Sequence, residues 1–208
     1  MDNKERMIEE QLRNRDIYDE KVLEAMSAVD RKIFVPDDIK DMAYDDTPLP
    51  IGKDQTISQP YIVAYMAQAL DLEPDDKVLE VGSGCGYNAA VLSRLVSHVY
   101  SIEIIEWLAE LAKKNLAEAD IPNVSVSFGD GYQGWPDKSP FDKIMITAAA
   151  PVIPEPLKNQ LTTGGKILAP VANTFQKLIL LEKKEEGNYV EHDLIHVRFV
   201  PMTGYRNT

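Results

Sequence analysis

Apolar residues recur along this chain at two different spacings, and the change comes near residue 75. Through residues 1–45 they fall three and four apart. Met7, Ile8 and Leu12 make one stripe, and Val22, Leu23, Met26 and Val29 make a second. That period is helical, and each stripe reads most simply as a face packed on a core. Asp19 stands where it would cap the second helix, and Asp30 to Pro36 ends it. Residues 44–60 lose the pattern and read as a long polar loop with three prolines and one glycine. A loop of that length without secondary structure of its own is usually functional or disordered. Within it, Gln55-Thr56-Ile57-Ser58-Gln59-Pro60 sets two hydroxyls and two amides around one isoleucine. Ser58, just before Pro60, reads as the N-cap of a helix over 61–70, and a cap beside a pocket can also bind an anion.

From Asp75 onward short apolar runs alternate with helical stretches. Strands are expected at 77–81, 99–102, 124–128, 142–147, 166–171, 177–183 and 193–200. Helices are expected at 88–96, about 105–119 and near 155–161, the last ending at Gly164-Gly165. Alternation at this spacing means a doubly wound, mostly parallel sheet with helices on both faces. The turn Glu185-Glu186-Gly187-Asn188 makes the last two strands an antiparallel hairpin. The chain therefore reads as one α/β domain over 1–208. Residues 1–74 are an N-terminal helical extension with its loop, and residues 75–208 are the ligand-binding core.

The candidate chemistry lies at the carboxyl ends of the strands, where open α/β sheets bind ligands. The first strand runs into Gly82-Ser83-Gly84-Cys85-Gly86, a tight turn that leads into a helix. Glycines let the backbone approach a ligand closely, and a helix start offers free N–H groups. The spacing is G-x-G-x-G, not the G-x-G-x-x-G of a dinucleotide fold, and Glu80 just before it would repel a pyrophosphate. A ligand carrying positive charge suits that carboxylate, and S-adenosylmethionine is such a ligand. Strand two ends at Glu103, placed to accept both hydroxyls of a ribose. Strand three ends at Asp130 between two glycines, where it could take an adenine amino group. Strand four ends at Thr147 and three alanines, which leave room. Each acid alone would be an ordinary loop residue; three at successive strand ends point to a site.

Composition narrows the choices. In 208 residues the net charge is −12, which opposes general binding to nucleic acid. No apolar run is long enough for a membrane span, and the polar N-terminus has no signal-peptide core, so a cytoplasmic protein is expected. One cysteine, Cys85, excludes an internal disulfide, and its place in the glycine turn suits a small residue better than a nucleophile. His98, His192 and His196 have no metal-ligand company, so no metal is expected.

The chain is similar to the protein-L-isoaspartate (D-aspartate) O-methyltransferases, a family of class I S-adenosylmethionine-dependent enzymes with a Rossmann-like fold. The similarity runs from about residue 5 to residue 204. It is carried by Asp54 to Tyr61, by Leu79 to Tyr87, by Gly129-Asp130-Gly131, by Ala148 to Pro151, and by Val197-Arg198-Phe199-Val200-Pro201-Met202. The glycine motif is shared by many methyltransferases; Thr-Ile-Ser-Gln-Pro and Arg-Phe-Val-Pro are far more specific. Some relatives have His where this chain has Tyr61. The resemblance implies cofactor contacts from Gln55, Thr56, Ile57, Glu80, Gly82, Ser83, Gly84, Glu103, Ile104, Gly129, Asp130 and Thr203. It implies substrate contacts from Ile57, Ser58 and Val200, with Ser58 as the catalytic residue on the acceptor carboxylate. The implied reaction is methylation of the free α-carboxylate of L-isoaspartyl residues in damaged proteins and peptides, which starts their repair and leaves S-adenosylhomocysteine. The expected partners are isoaspartyl proteins, with no nucleic acid and no membrane, and the expected state is a monomer.

Four other readings compete. Glycine spacing and Glu80 count against a NAD-dependent oxidoreductase. The charge, and the lack of an aromatic-plus-amide motif after strand four, count against an RNA methylase; a small-molecule methyltransferase is the remaining enzyme alternative. A binding module would not need three acids around a glycine turn.

Overall fold

In the computed structural model, which describes residues 2–172 and 175–204, the chain opens with a short helix α1 (Asn3–Arg6) that continues as a π-helical stretch, Met7–Arg13. Met7, Ile8 and Leu12 are buried on its inner face, as their spacing predicts. Helix α2 (Glu20–Ala28) begins at Asp19, whose carboxylate accepts the Lys21 N–H at 2.9 Å. Val22, Leu23, Met26 and Val29 are buried beneath it.

Residues 44–60 are not the structureless loop the sequence suggests. β1 (Leu49–Gly52) and β2 (Gln55–Ile57) pair antiparallel as a separate two-stranded hairpin. Lys53 and Asp54 at its tip take φ of 55° and 57°. That left-handed pair matches the strand twist in a two-residue turn. Leu49, Ile51 and Ile57 point inward and are buried. Helix α3 (Pro60–Leu70) follows, with Pro60 in its first turn. Gln59 is the N-cap, without a side-chain bond, so Ser58 does not cap this helix. Proline at the first helical position supplies its own φ and has no N–H to satisfy, which removes the need for a capping hydroxyl.

The remaining elements are β3 (Lys77–Val81), α4 (Tyr87–Leu92), β4 (His98–Glu103), α5 (Glu106–Glu118), β5 (Val124–Phe128), β6 (Phe141–Ile146), α6 (Glu155–Asn159), β7 (Leu161–Ala172), β8 (Gln176–Lys183) and β9 (Tyr189–His196). The seven strands form one sheet in the order β5-β4-β3-β6-β7-β8-β9. β3 to β7 are parallel, and β8 and β9 run antiparallel. Alternate residues of β3 face opposite sides: Val78 packs into the larger core with Met145 and Leu168, and Leu79 into a second core with Ile144 and Ile167. Two covered faces are what nearly continuous apolar strands require. No helix among the described residues is long and apolar enough to cross a membrane.

Three boundaries differ from the sequence reading. α4 stops at Leu92 because Ser93 bonds back to the Ala90 carbonyl at 2.7 Å and the chain tightens into turns. Gly164-Gly165 does not end α6; residues 162–165 bulge from β7 between the Phe141–Leu161 and Lys143–Lys166 pairs. β9 spans Tyr189–His196 and not 193–200, because the chain then leaves the sheet edge. Gln176 holds the departing segment, accepting the Phe199 N–H at 2.6 Å and donating to its carbonyl at 3.1 Å. The segment ends beside Ala149, which bridges Pro201 in parallel.

Candidate active site

β3 lies at the centre of the sheet with β4 on one side and β6 on the other, so the crevice expected at such a reversal opens above its carboxyl end. The glycine turn there is clipped to both neighbours. The Gly82 N–H donates to the Ile102 carbonyl at 2.8 Å, and the Thr147 N–H donates to Val81 at 2.9 Å. The Thr147 hydroxyl also reaches the Val81 and Gly82 carbonyls, at 3.0 and 2.7 Å. Gly82 has φ +100°, and a Cβ on it would stand 2.3 Å from Thr147 Oγ1. Only glycine fits there.

Glu103 ends β4 and is 6% exposed. Its carboxylate accepts the Gly84 N–H at 2.9 Å on one oxygen and the Ile105 N–H at 3.0 Å on the other. A carboxylate has about four acceptor sites, so two stay open to a ligand. Gly82, Ser83, Gly84, Glu103 and Ile104 all line one cleft of about 850 Å³, its open mouth included. Val81, Ile102, Ile105 and Leu108 make the apolar part of that wall.

Glu80 sits lower. It is fully buried, accepts from Asn88 Nδ2 at 2.8 Å and from the Ser101 hydroxyl, and is absent from the cleft lining. Because Ser101 gives its proton to Glu80, the 2.6 Å Ser83–Ser101 contact has Ser83 as donor. Ser83 thereby links the cleft wall to the buried carboxylate. Burial pushes Glu80 up to about 7, against the Ser101 and Asn88 bonds, and the Glu103 charge adds to the rise. The sequence reading set Glu80 directly against a ligand; the structure sets it beneath the turn. Gly129 and Asp130 also stand outside the lining residues. The Asp130 carboxylate accepts the Tyr132 N–H at 2.9 Å, and Gly131 faces the cleft instead.

The opposite wall is the hairpin. Gln55, Thr56, Ile57 and Ser58 line the cleft from it. Its tip rests on Trp107, whose ring would stand 3.3 Å from a Cβ on Gly52. Its far end is held by Arg31, a residue that belongs to no motif of the sequence. Arg31 is fully buried, and it donates from Nε to the Ala43 carbonyl at 2.7 Å and from Nη2 to the Ser58 carbonyl at 2.8 Å. Its guanidinium lies 4.6 Å from the centre of the Tyr87 ring, and its Nη1 has no hydrogen-bond partner among the described residues. Burial holds its pKa below the usual value, with Tyr87 opposing. Tyr61 does not line the cleft; its ring packs under the Arg15 guanidinium at 3.4 Å. Cys85 does line it, but burial pushes the thiol up to about 11, so it is no nucleophile at neutral pH.

The third wall is Val200 to Thr203. It is fixed by two bonds to Ala149: the Ala149 N–H donates to the Val200 carbonyl at 2.8 Å, and the Met202 N–H to the Ala149 carbonyl at 2.7 Å. Past Thr56, Ser58, Thr147 and Val200 the space continues into a second cleft of about 930 Å³, again with its mouth. Ser58 and Val200 thus stand at the junction of two connected clefts, one with an anionic floor and one open to solvent.

The family model for protein-L-isoaspartate(D-aspartate) O-methyltransferase matches residues 2–207. A protein-L-isoaspartate O-methyltransferase of Opitutus terrae is 52% identical over 202 residues, covering 96% of this chain and 86% of the relative. One of Nitrosococcus oceani is 54% identical over 187 residues, covering 89% and 85%. Among solved structures, one protein-L-isoaspartate O-methyltransferase superposes with a TM-score of 0.87 at 30% identity, covering 97% of this chain and 66% of that one. A structure described as the Plasmodium falciparum enzyme in complex with S-adenosyl-L-homocysteine gives 0.86 at 26% identity, covering 98% and 99%. The chain belongs to the protein-L-isoaspartate(D-aspartate) O-methyltransferase family.

Proposed function

We propose that the two connected clefts divide the work of a methyltransferase, the inner one holding S-adenosylmethionine and the outer one an isoaspartyl residue of a damaged protein. The observation that carries this reading is the meeting of Glu103, the glycine turn, Ser58 and Val200 around one opening. The inner cleft fits the cofactor chemically: a carboxylate with two open acceptor sites for a ribose and apolar side chains for a base. Glu103 would hold the ribose, with Gln55, Thr56, Ile57, Gly82, Ser83, Gly84, Ile104 and Thr203 around it. Gly129 and Asp130 would act through Gly131 and the turn they support, and Glu80 through Ser83.

When bound, S-adenosylmethionine supplies an electrophilic methyl group, and its transfer to a carboxylate oxygen leaves S-adenosylhomocysteine. The acceptor α-carboxylate is ionised at neutral pH and needs no general base. The chain's contribution is alignment and exclusion of water. The Ser58 hydroxyl orients the carboxylate, with Ile57 beside it, while Arg31 fixes the Ser58 backbone from behind. Transfer cancels an anion against a cation, so a dry pocket under the hairpin favours it. Val200, braced by Ala149, supports the substrate backbone.

An isoaspartyl residue carries its free carboxylate one bond from Cα, and an aspartyl residue one methylene further. A misplacement of about 1 Å can cost on the order of a hundredfold in rate. The testing experiment is methyl transfer to an isoaspartyl peptide beside its aspartyl twin. The first should be methylated and the second nearly inert; equal rates, or transfer to RNA and to neither peptide, would refute the reading. The proposal extends to a monomer in the cytoplasm, built as one domain in which residues 1–74 supply the hairpin and residues 75–208 the cofactor core.

A further inference from the structure

The outer cleft has an electrostatic character unlike that of the rest of the chain. The protein carries 34 acidic residues against 22 basic ones, yet no carboxylate among the described residues lines this cleft. Its polar lining includes Thr56, Ser58 and Gln59 on the hairpin side and His196 and Arg198 on the other. Arg198 is exposed, and its guanidinium has no ion pair or hydrogen bond among the described residues. Arg15 and Arg31, by contrast, are engaged, the first with Asp46 and Tyr61 and the second with two carbonyls. Arg198 stands two residues before Val200, on a segment whose backbone is held at both ends by Gln176 and Ala149.

We propose that Arg198 is a specificity-determining residue of the methyl transfer, favouring isoaspartyl sites flanked by acidic side chains. This rests on the outer cleft being the acceptor site. A peptide lying along Val200 with its α-carboxylate at Ser58 passes Arg198 with its neighbouring side chains. A guanidinium there pairs with a carboxylate in a two-pronged geometry that a neutral or basic side chain cannot offer. The net charge of −12 acts in the opposite sense on an acidic peptide, but over long range. At physiological salt, charges further apart than about 8 Å are largely screened, so the local pair decides. Arg198 touches the flanking residue and not the reacting atoms, so its effect belongs in KM.

The test uses the full chain, S-adenosylmethionine, and three isoaspartyl peptides that differ only at the residues before and after the isoaspartate: Glu, Gln or Lys. With the wild-type chain at about 0.15 M salt, where the long-range repulsion is screened, kcat/KM should be about threefold to fivefold higher for the Glu peptide than for the Gln peptide, the size expected of an exposed pair. The difference should lie in KM and collapse in 0.5 M salt. Arg198→Lys should keep most of the preference, Arg198→Ala should remove it, and Arg198→Glu should reverse it in favour of the Lys peptide. Melting curves with and without S-adenosylhomocysteine establish that each variant is folded. The same preference in Arg198→Ala and Arg198→Glu as in the wild type, or a wild-type preference for the Lys peptide, would overturn the proposal. Failure to methylate even the Gln peptide would overturn the acceptor-site reading itself, and the proposal with it.

Discussion

Replacing Gly82 by alanine tests whether the glycine turn is held by Thr147 as the geometry requires. Two costs add. The first is conformational: φ of +100° suits glycine, and a left-handed conformation costs a residue with a Cβ roughly 1–2 kcal/mol. The second is steric: the new Cβ stands 2.3 Å from Thr147 Oγ1, so the hydroxyl must swing away. It then forfeits its bonds to the Val81 and Gly82 carbonyls. Shared by one hydroxyl, those bonds contribute about 1–2 kcal/mol together. Gly82→Ala should therefore lose about 2–4 kcal/mol, a fall in melting temperature of roughly 5–15 °C for a chain of this size. Thr147→Ala alone should lose about 1–2 kcal/mol. In the double variant the obstructing oxygen is gone, so only the backbone cost is added to the lost bonds. The double variant should then be more stable than the sum of the singles requires, by about 1–2 kcal/mol. Urea titrations of the four proteins measure this coupling. Additivity within about 0.5 kcal/mol would show that Thr147 does not meet a Cβ at position 82, and would refute the account of the turn.

Glu103→Ala should weaken S-adenosylmethionine binding at least tenfold by calorimetry, since bonds to a charged group are worth about 1.5–3 kcal/mol each; unchanged affinity would remove Glu103 from the ribose. Ser58→Ala should lower kcat more than it raises the cofactor dissociation constant, and should leave the melting temperature nearly unchanged, because Ser58 caps no helix. A loss of stability with full specific activity would reverse that assignment. Glu80 is raised in the folded state from 4.5 to about 7, so the folded chain holds a proton that the unfolded chain releases between those values. Its contribution is intact below about 4.5 and is lost as pH rises through about 7. Denaturant titrations should find wild type losing on the order of 2–3 kcal/mol relative to Glu80→Gln between pH 4.5 and 8, and a pH-independent difference would contradict the burial of a titrating carboxyl.

The sheet was legible because its strands are short apolar runs with clear punctuation. Lys77–Val81 and Val124–Phe128 match their expected bounds, and the antiparallel hairpin at the end follows from one turn. Glu103 and the glycine turn are legible together because strand ends can be ordered from the sequence alone, whereas Ser58, which alone reads as a helix cap, enters only through the family resemblance. The hairpin over 49–57 was not. Its alternation, Leu49 and Ile51 inward, is only two residues long, Pro50 argues against a strand, and its tip uses left-handed φ at Lys53 and Asp54 where no glycine signals it. Proline is tolerated because this is an edge strand in a two-stranded sheet. Arg31 was illegible for another reason. Asp30-Arg31-Lys32 has the composition of a solvated turn, and its burial depends on two carbonyls, of Ala43 and Ser58, that only the tertiary fold brings to it. Glu80 is legible as a residue but not in its depth, since the partners that draw it inward, Asn88 and Ser101, lie 8 and 21 positions away.

The bond pair that ties Val200 and Met202 to Ala149 gives the site an order in time. The wall from Gly82 to Glu103, proposed to hold the cofactor, is encoded about one hundred residues before the Val200–Thr203 wall, proposed to support the acceptor. At a synthesis rate of about 5–20 residues per second, the first precedes the second by roughly 5–20 s. During that interval the growing chain owns the glycine turn, Glu103 and Ser58 but lacks the Val200 wall proposed to support the acceptor. An enzyme whose substrates are other proteins therefore has an incomplete site until the segment after its last strand has left the sheet edge and docked on Ala149.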